Sequence, residues 1–243
     1  MHFCTFINIV GMAAIARVSQ ANVVQSTRKH TATIFFFHGS GGTAEDLKEW
    51  VNILNREELQ FPHIKIIYPT APCQPYTPNN GMMQNIWYDR TAISNQVPEL
   101  VESINSMCQN VSELIDKEVA DGIPFNRIVL GGFSMGGGLA LHLAYRYQTA
   151  VAGCFAMSSF LNKGSIVYEH LKKNPDHNKV PLAQYHGTAD GLIPIEWGEE
   201  TAETLKDLGV NVKFTSLQNV DHELSREEIQ SWKDWVLDIL PDK

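Results

Sequence analysis

The 243-residue chain is poor in cysteine and in positive charge. Its four cysteines, Cys4, Cys73, Cys108 and Cys154, show no C-x-x-C spacing, which excludes a zinc-ribbon or thioredoxin-type motif. A chain of this length builds a core without disulfide staples, so they read as reduced, mostly buried thiols. Lysine and arginine number 19 against 27 aspartates and glutamates, a net charge of -8 with no basic run, so a nucleic acid is not a partner. No apolar run is long enough to span a bilayer, which leaves peripheral contact as the most a membrane receives. Repeats, linkers and low-complexity tracts are also missing.

What remains is ordinary globular composition, 44% hydrophobic and 19% charged, in a size that suits one α/β domain. The first residues, MHFCTFINIVGMAAIARVSQA, loosely mimic a signal peptide with Ser19 and Ala21 at its cleavage site. A basic first segment is lacking, Asn8 interrupts the apolar run and Arg17 follows it. Residues 1–25 therefore read as an extension, with Met12 an alternative start, and residues 26–243 as the domain. The location reads as cytoplasmic, with secretion as the alternative.

Short β-branched or aromatic runs alternate with runs of helical period, the pattern of a mostly parallel sheet with helices on both faces. The spacing predicts strands at Thr31–Phe37, Ile64–Tyr68, Arg127–Gly131, Val151–Met157, Leu182–His186 and Val212–Leu217. Helices are predicted at Ala44–Leu59, from Pro98 to Asp121, and at Gly137–Tyr147, Glu196–Leu208 and Arg226–Leu240. Only one short helix fits between Met157 and Leu182, so no separate lid domain is expected and the site should be shallow or groove-like. The long irregular stretch YPTAPCQPYTPNNGMMQNIWYDR is expected to border that site.

Gly132-Phe133-Ser134-Met135-Gly136 matches G-x-S-x-G between a predicted strand and a predicted helix. On such a turn the serine takes a strained backbone conformation that projects its hydroxyl, and the glycines let strand and helix approach. No Lys-Ser/Thr follows the glycines and no G-x-G-x-x-G register fits, so both nucleotide-loop explanations fail. A serine hydroxyl becomes a nucleophile only when a histidine takes its proton, and the histidine needs a carboxylate. In this fold the order is serine, acid, histidine, each after a strand. QYHGTADGLIPI offers Asp190 and SLQNVDHELS offers His222. Asp221 is the rival acid, but immediate neighbours on one loop rarely face each other; Asp89 precedes Ser134 and breaks the order. His186 reads as support for the Asp190 loop and His142 as packed, while His30, His63, His170 and His177 read as surface or strand-edge residues. The oxyanion of the reaction needs donors, and the backbone N–H groups of Met135 and of Ser40, in HGSGG, are the candidates.

FFFHGSGG, IIYPTAP, NIWYDR, GGFSMGG, HGTADGLIP and VDHELS, in this order from about residue 30, resemble the acyl-protein thioesterase and lysophospholipase family. The resemblance implies an α/β-hydrolase fold, a Ser134–Asp190–His222 triad, oxyanion donors at Ser40 and Met135, no metal and no cofactor. It implies an acyl-enzyme on Ser134 and hydrolysis of thioesters or oxyesters of S-acylated proteins, lysophospholipids or small esters. Gly42 departs from the family, where an acidic residue is frequent. Trp87 and Leu192 lie in motifs that border the acyl site in relatives and read equally as substrate contacts or as core. A carboxylesterase for short-chain esters and a non-catalytic binding protein on the same fold are the alternatives; acyl-chain preference and oligomeric state are not legible. Amino-terminal sequencing of the native protein tests the cytoplasmic reading: a start at Met1 or Met12 is expected, and a mature terminus at Ala21 or Asn22 overturns it.

Overall fold

The computed structural model describes residues 17–18 and 20–242, so Cys4 and the Met12 start lie outside the described residues. Its strands are β1 (Gln20–Val24), β2 (Ala32–Phe37), β3 (Ile64–Thr70), β4 (Cys73–Tyr76), β5 (Met82–Asn85), β6 (Ile128–Phe133), β7 (Gly153–Met157), β8 (Leu182–Gly187) and β9 (Val212–Leu217). The helices are α1 (Ala44–Asn55), α2 (Val101–Ala120), α3 (Met135–His142), α4 (Ile166–Lys173), α5 (Ile195–Asp207) and α6 (Arg226–Ile239). Seven strands form one sheet in the order β1-β3-β2-β6-β7-β8-β9, and β4 and β5 form a separate hairpin. All neighbours in the large sheet are parallel except β1 against β3. This is the α/β-hydrolase architecture expected from the sequence.

The sheet is covered on both sides, which is why β2 (ATIFFF) and β6 (IVLGGF) are buried along their whole length rather than alternating. Ile34 and Phe36 of β2 join the core under α1 and α6, while Phe35 and Phe37 join the core under α2 to α5. Helix α2 turns Ile104, Cys108, Val111 and Ile115 inward at three- and four-residue steps. Cys108 and Cys154 are buried, and Cys73 is exposed.

The structure corrects the sequence reading at several boundaries. Residues 20–24, assigned to the extension, are strand β1, with Val24 buried opposite Ile66. The run QANVV carried little signal because an edge strand needs few apolar residues, and Val23 points to solvent. Helix α1 ends at Asn55, four residues early, because Arg56 enters the left-handed region at φ 66°. The Gly137–Tyr147 helix begins at Met135, and its last turn, Leu143–Tyr147, widens into a π-helix. The β4–β5 hairpin lies in the stretch read as irregular.

Helix α6 opens with a capping box in which Ser225 Oγ accepts from Glu228 N–H and the Glu228 carboxyl accepts from Ser225 N–H. Glu228 is fully buried, and burial pushes its carboxyl up to about 8 against the bond from Ser225 N–H. The folded protein thus keeps a proton that the unfolded chain releases near the ordinary value of 4.5. This stabilisation is complete below that ordinary value and is lost as the pH rises to about 8. Glu228→Gln, which retains an acceptor for Ser225 N–H, is therefore expected to gain stability relative to wild type as the pH rises from about 5 to about 8. Denaturant unfolding of both proteins across that range measures the difference; a constant difference contradicts a neutral Glu228.

Candidate active site

Strand β6 hands over to α3 at Ser134, whose backbone sits at φ 52° and ψ -121°. Such a conformation costs on the order of 1–3 kcal/mol in a non-glycine residue and persists only when its surroundings hold it. Ser134 N–H donates to Met157 O at 2.8 Å, and Ser134 O accepts from Gly137 N–H at 3.1 Å and lies 2.7 Å from Ser159 Oγ. The crossing needs bare backbone at Gly132 and Gly136. A Cβ on Gly136 would come within 2.3 Å of Phe37 O, and one on Gly132 within 2.5 Å of the same oxygen.

Three side chains from three loops meet above this turn. His222 Nε2 lies 3.0 Å from Ser134 Oγ, and His222 Nδ1 lies 2.8 Å from Asp190 Oδ2. A carboxylate only accepts, so Nδ1 carries the proton and Nε2 is left to accept from the serine hydroxyl. The Asp190 carboxylate is fully buried yet ionised. Burial pushes it up, but the nearby His186 N–H and hydrogen bonds from His222 and Ile193 N–H outweigh that and hold it well below the usual carboxylate range. Leu192 N–H and Ile193 N–H donate to its Oδ1 at 3.0 and 2.7 Å. His186 donates from Nε2 to Ile193 O at 2.8 Å and lies 3.5 Å from Asp190 Oδ2, so it supports the acid loop.

Asp221 is not the partner of His222. Its Oδ1 accepts Gly191 N–H at 2.9 Å and His222 N–H at 2.7 Å, tying the loop after β8 to the loop after β9. Asp89 accepts from Thr77 N–H at 2.9 Å and its hydroxyl at 2.6 Å, a structural role. His142 is buried 3.4 Å from Glu99. His63, read as a surface or strand-edge residue, is buried with its Nε2 2.7 Å from Leu240 O.

The loop holding Ser40 runs close to the serine: a Cβ on Gly39 would lie 3.3 Å from Ser134 Cβ. Its shape depends on His38. Ala71 N–H donates to His38 Nε2 at 3.0 Å, so Nδ1 carries the proton and donates to Gly39 O at 2.6 Å. Burial pushes His38 down to about 4, which keeps the ring neutral. Trp87 Nε1 donates to His38 O at 2.8 Å, and Gly41 N–H donates to Asn85 O at 2.8 Å, so the long stretch does border the site. Trp87 is fully buried, with its ring 5.3 Å from that of Phe37. Through the bond to His38 O it supports the loop that holds Ser40. Leu192 is 49% exposed on the acid loop. Met135, the first residue of α3, has a backbone N–H without an intrahelical acceptor. Past Ser134 and Met135, Tyr88, Arg90, Ser158, Phe160 and Ile193 enclose a cavity of about 10 Å³, room for one water. His38 and Ser158, the latter at φ 48°, carried no signal in the sequence that marked them as part of this site.

The sequence profile of the phospholipase/carboxylesterase family matches residues 18–239. The chain is 50% identical over 220 residues to lysophospholipase-like protein 1 of Mus musculus, covering 90% of this chain and 91% of that protein. It is 35% identical over 240 residues to acyl-protein thioesterase 1 of Neurospora crassa, covering 95% of each. Among solved structures it is similar to Zea mays acyl-protein thioesterase 2, with a TM-score of 0.80, 26% identity, and coverage of 91% of this chain and 99% of that one.

The two neighbouring carboxylates make separable predictions for chromogenic-ester hydrolysis. Asp190→Asn is expected to lower kcat by about 10⁴-fold, because an amide no longer selects the Nδ1–H tautomer. Asp221→Asn keeps an acceptor oxygen and is expected to stay near wild type, with Asp221→Ala falling between the two. Steady-state kinetics of the three variants decide, and a larger loss in Asp221→Asn than in Asp190→Asn would reverse the assignment.

Proposed function

The chain belongs to the phospholipase/carboxylesterase family of α/β-hydrolases and is a serine hydrolase of the esterase and thioesterase type, and from this we propose that Ser134 carries its acyl group. The reading rests on the unbroken chain from Ser134 Oγ through His222 to Asp190, at 3.0 and 2.8 Å. Ser134 Oγ attacks the acyl carbon while its proton passes to His222 Nε2, and Asp190 stabilises the resulting imidazolium. The carbonyl oxygen takes up the negative charge facing the N–H groups of Ser40 and Met135, where each such donor contributes about 10²–10³-fold in rate. Collapse breaks the bond to the leaving sulfur or oxygen, which receives the proton from His222. Water then gives a proton to His222 as its oxygen adds to the acyl carbon. The bond to Ser134 Oγ breaks, the serine regains its proton and the free acid departs.

As substrates we assign S-acylated, chiefly palmitoylated, proteins and lysophospholipids, in line with relatives named acyl-protein thioesterase and lysophospholipase-like protein, and we assign the action to the cytoplasm. Leu192, exposed on the acid loop, is the proposed substrate contact. A short-chain carboxylesterase is the second reading, favoured by the cavity of about 10 Å³ beyond Ser134, which admits little more than an acetyl methyl group. A fluorophosphonate probe is expected to label wild type and not Ser134→Ala; labelling of neither leaves only a binding protein. With p-nitrophenyl esters and acyl thioesters of graded length, turnover of palmitoyl substrates supports the first reading, and turnover confined to acetyl and butyryl substrates selects the second.

A further inference from the structure

A second concavity lies across Gly39 from the serine and is separated from His222 by the ring of Phe133. It is lined by His38, Ser40, Thr43, Leu47, Trp50 and Phe133, and its volume is about 200 Å³. The lining is mainly apolar, with Leu47 and Phe133 buried and Trp50 half-buried. Asp46 at its rim takes the Thr43 hydroxyl at 2.7 Å and leaves the interior to hydrocarbon. An apolar cavity of roughly 150 Å³ is enough to hold a benzene ring. Phe133 links this groove to the reaction: its ring centroid lies 5.1 Å from that of Trp50 and 4.9 Å from that of His222.

We infer that this groove receives the leaving group, and that Trp50 selects substrates whose thiol or alcohol portion carries an apolar side chain or ring. This role for the groove rests on the function proposed above and on proton balance. When the C–S or C–O bond breaks, the departing atom must take its proton from His222 Nε2, so it leaves on the His222 side of Ser134. The groove reaches the His222 ring through Phe133 and runs along the Ser40 loop, whereas the wall of the small cavity holding Met135 and Arg90 contains neither His222 nor Phe133. Leaving group and acyl group are thereby given different walls: Trp50, Leu47 and Phe133 for the former, Tyr88, Arg90 and Phe160 for the latter. In an S-acylated protein, the occupant is an apolar residue flanking the acylated cysteine.

Two thioesters that form one acyl-enzyme isolate the effect. S-methyl thioacetate and S-benzyl thioacetate both acetylate Ser134, so deacylation is common to them. Trp50→Ala is expected to lower kcat/KM for the benzyl thioester by about tenfold and to leave the methyl thioester nearly unchanged. Trp50→Phe restores most of the loss. The penalty for the benzyl leaving group should persist when acetyl is replaced by propionyl. Equal losses on both thioacetates assign Trp50 a structural role and overturn the inference, as does a Trp50→Ala effect that follows the acyl group instead of the thiol. Should wild type hydrolyse neither thioester and resist the fluorophosphonate probe, the proposed function itself falls and this inference with it.

Discussion

The carboxylate of Asp190 is the point on which the geometry of the site turns. It is buried, charged and saturated with donors: Leu192 N–H and Ile193 N–H on one oxygen, His222 Nδ1–H on the other, with His186 beside it. A buried charge is tolerated only when such partners replace water, and each partner is thereby fixed in place. The backbone donors fold the loop after β8 around the carboxylate, while the histidine donor orients the ring that faces Ser134. One ionised group thus sets the shape of the loop after β8 and the tautomer of His222.

The other half of the site is held by the sheet. Ser134 occupies a backbone conformation that an isolated turn would abandon, and the bonds to Met157 O, Gly137 N–H and Ser159 keep it there. These partners are available because β7 lies parallel to β6 with Phe133 opposite Met157, and because α3 starts directly after the serine. Gly132 and Gly136 are needed since Phe37 O, at the end of β2, occupies the space where their side chains would lie. The parallel core on both sides of Ser134 compensates the strain of its backbone.

Much of this was legible in the sequence because chemistry and topology constrain each other. Strands β2, β3 and β6 to β9 are short runs rich in β-branched or aromatic residues, and Ser134, Asp190 and His222 follow β6, β8 and β9 in turn. The strand at 20–24 was missed because an edge strand with polar Gln20 and Asn22 has little apolar content to detect. The β4–β5 hairpin has little sequence signal because its strands are four residues each and β4, CQPY, contains Pro75. Contacts across loops were beyond reach: nothing in VDHELS says that Asp221 turns to Gly191 rather than to the ring of its neighbour. Trp87 stayed undecided for the same reason, since NIWYDR reads identically whether the indole meets substrate or the carbonyl of His38.

The link through Asp221 has a consequence for the thermodynamics of binding. Its Oδ1 accepts one N–H from the acid loop and one from the base loop, and those loops extend adjacent, in-register strands that end at Gly187 and Leu217. The conformational entropy of bringing Asp190 and His222 together is therefore lost once, when the chain folds. On the function proposed for Ser134, an arriving ligand meets a dipole array already oriented, so its affinity reports its own fit and desolvation rather than the ordering of the protein around it.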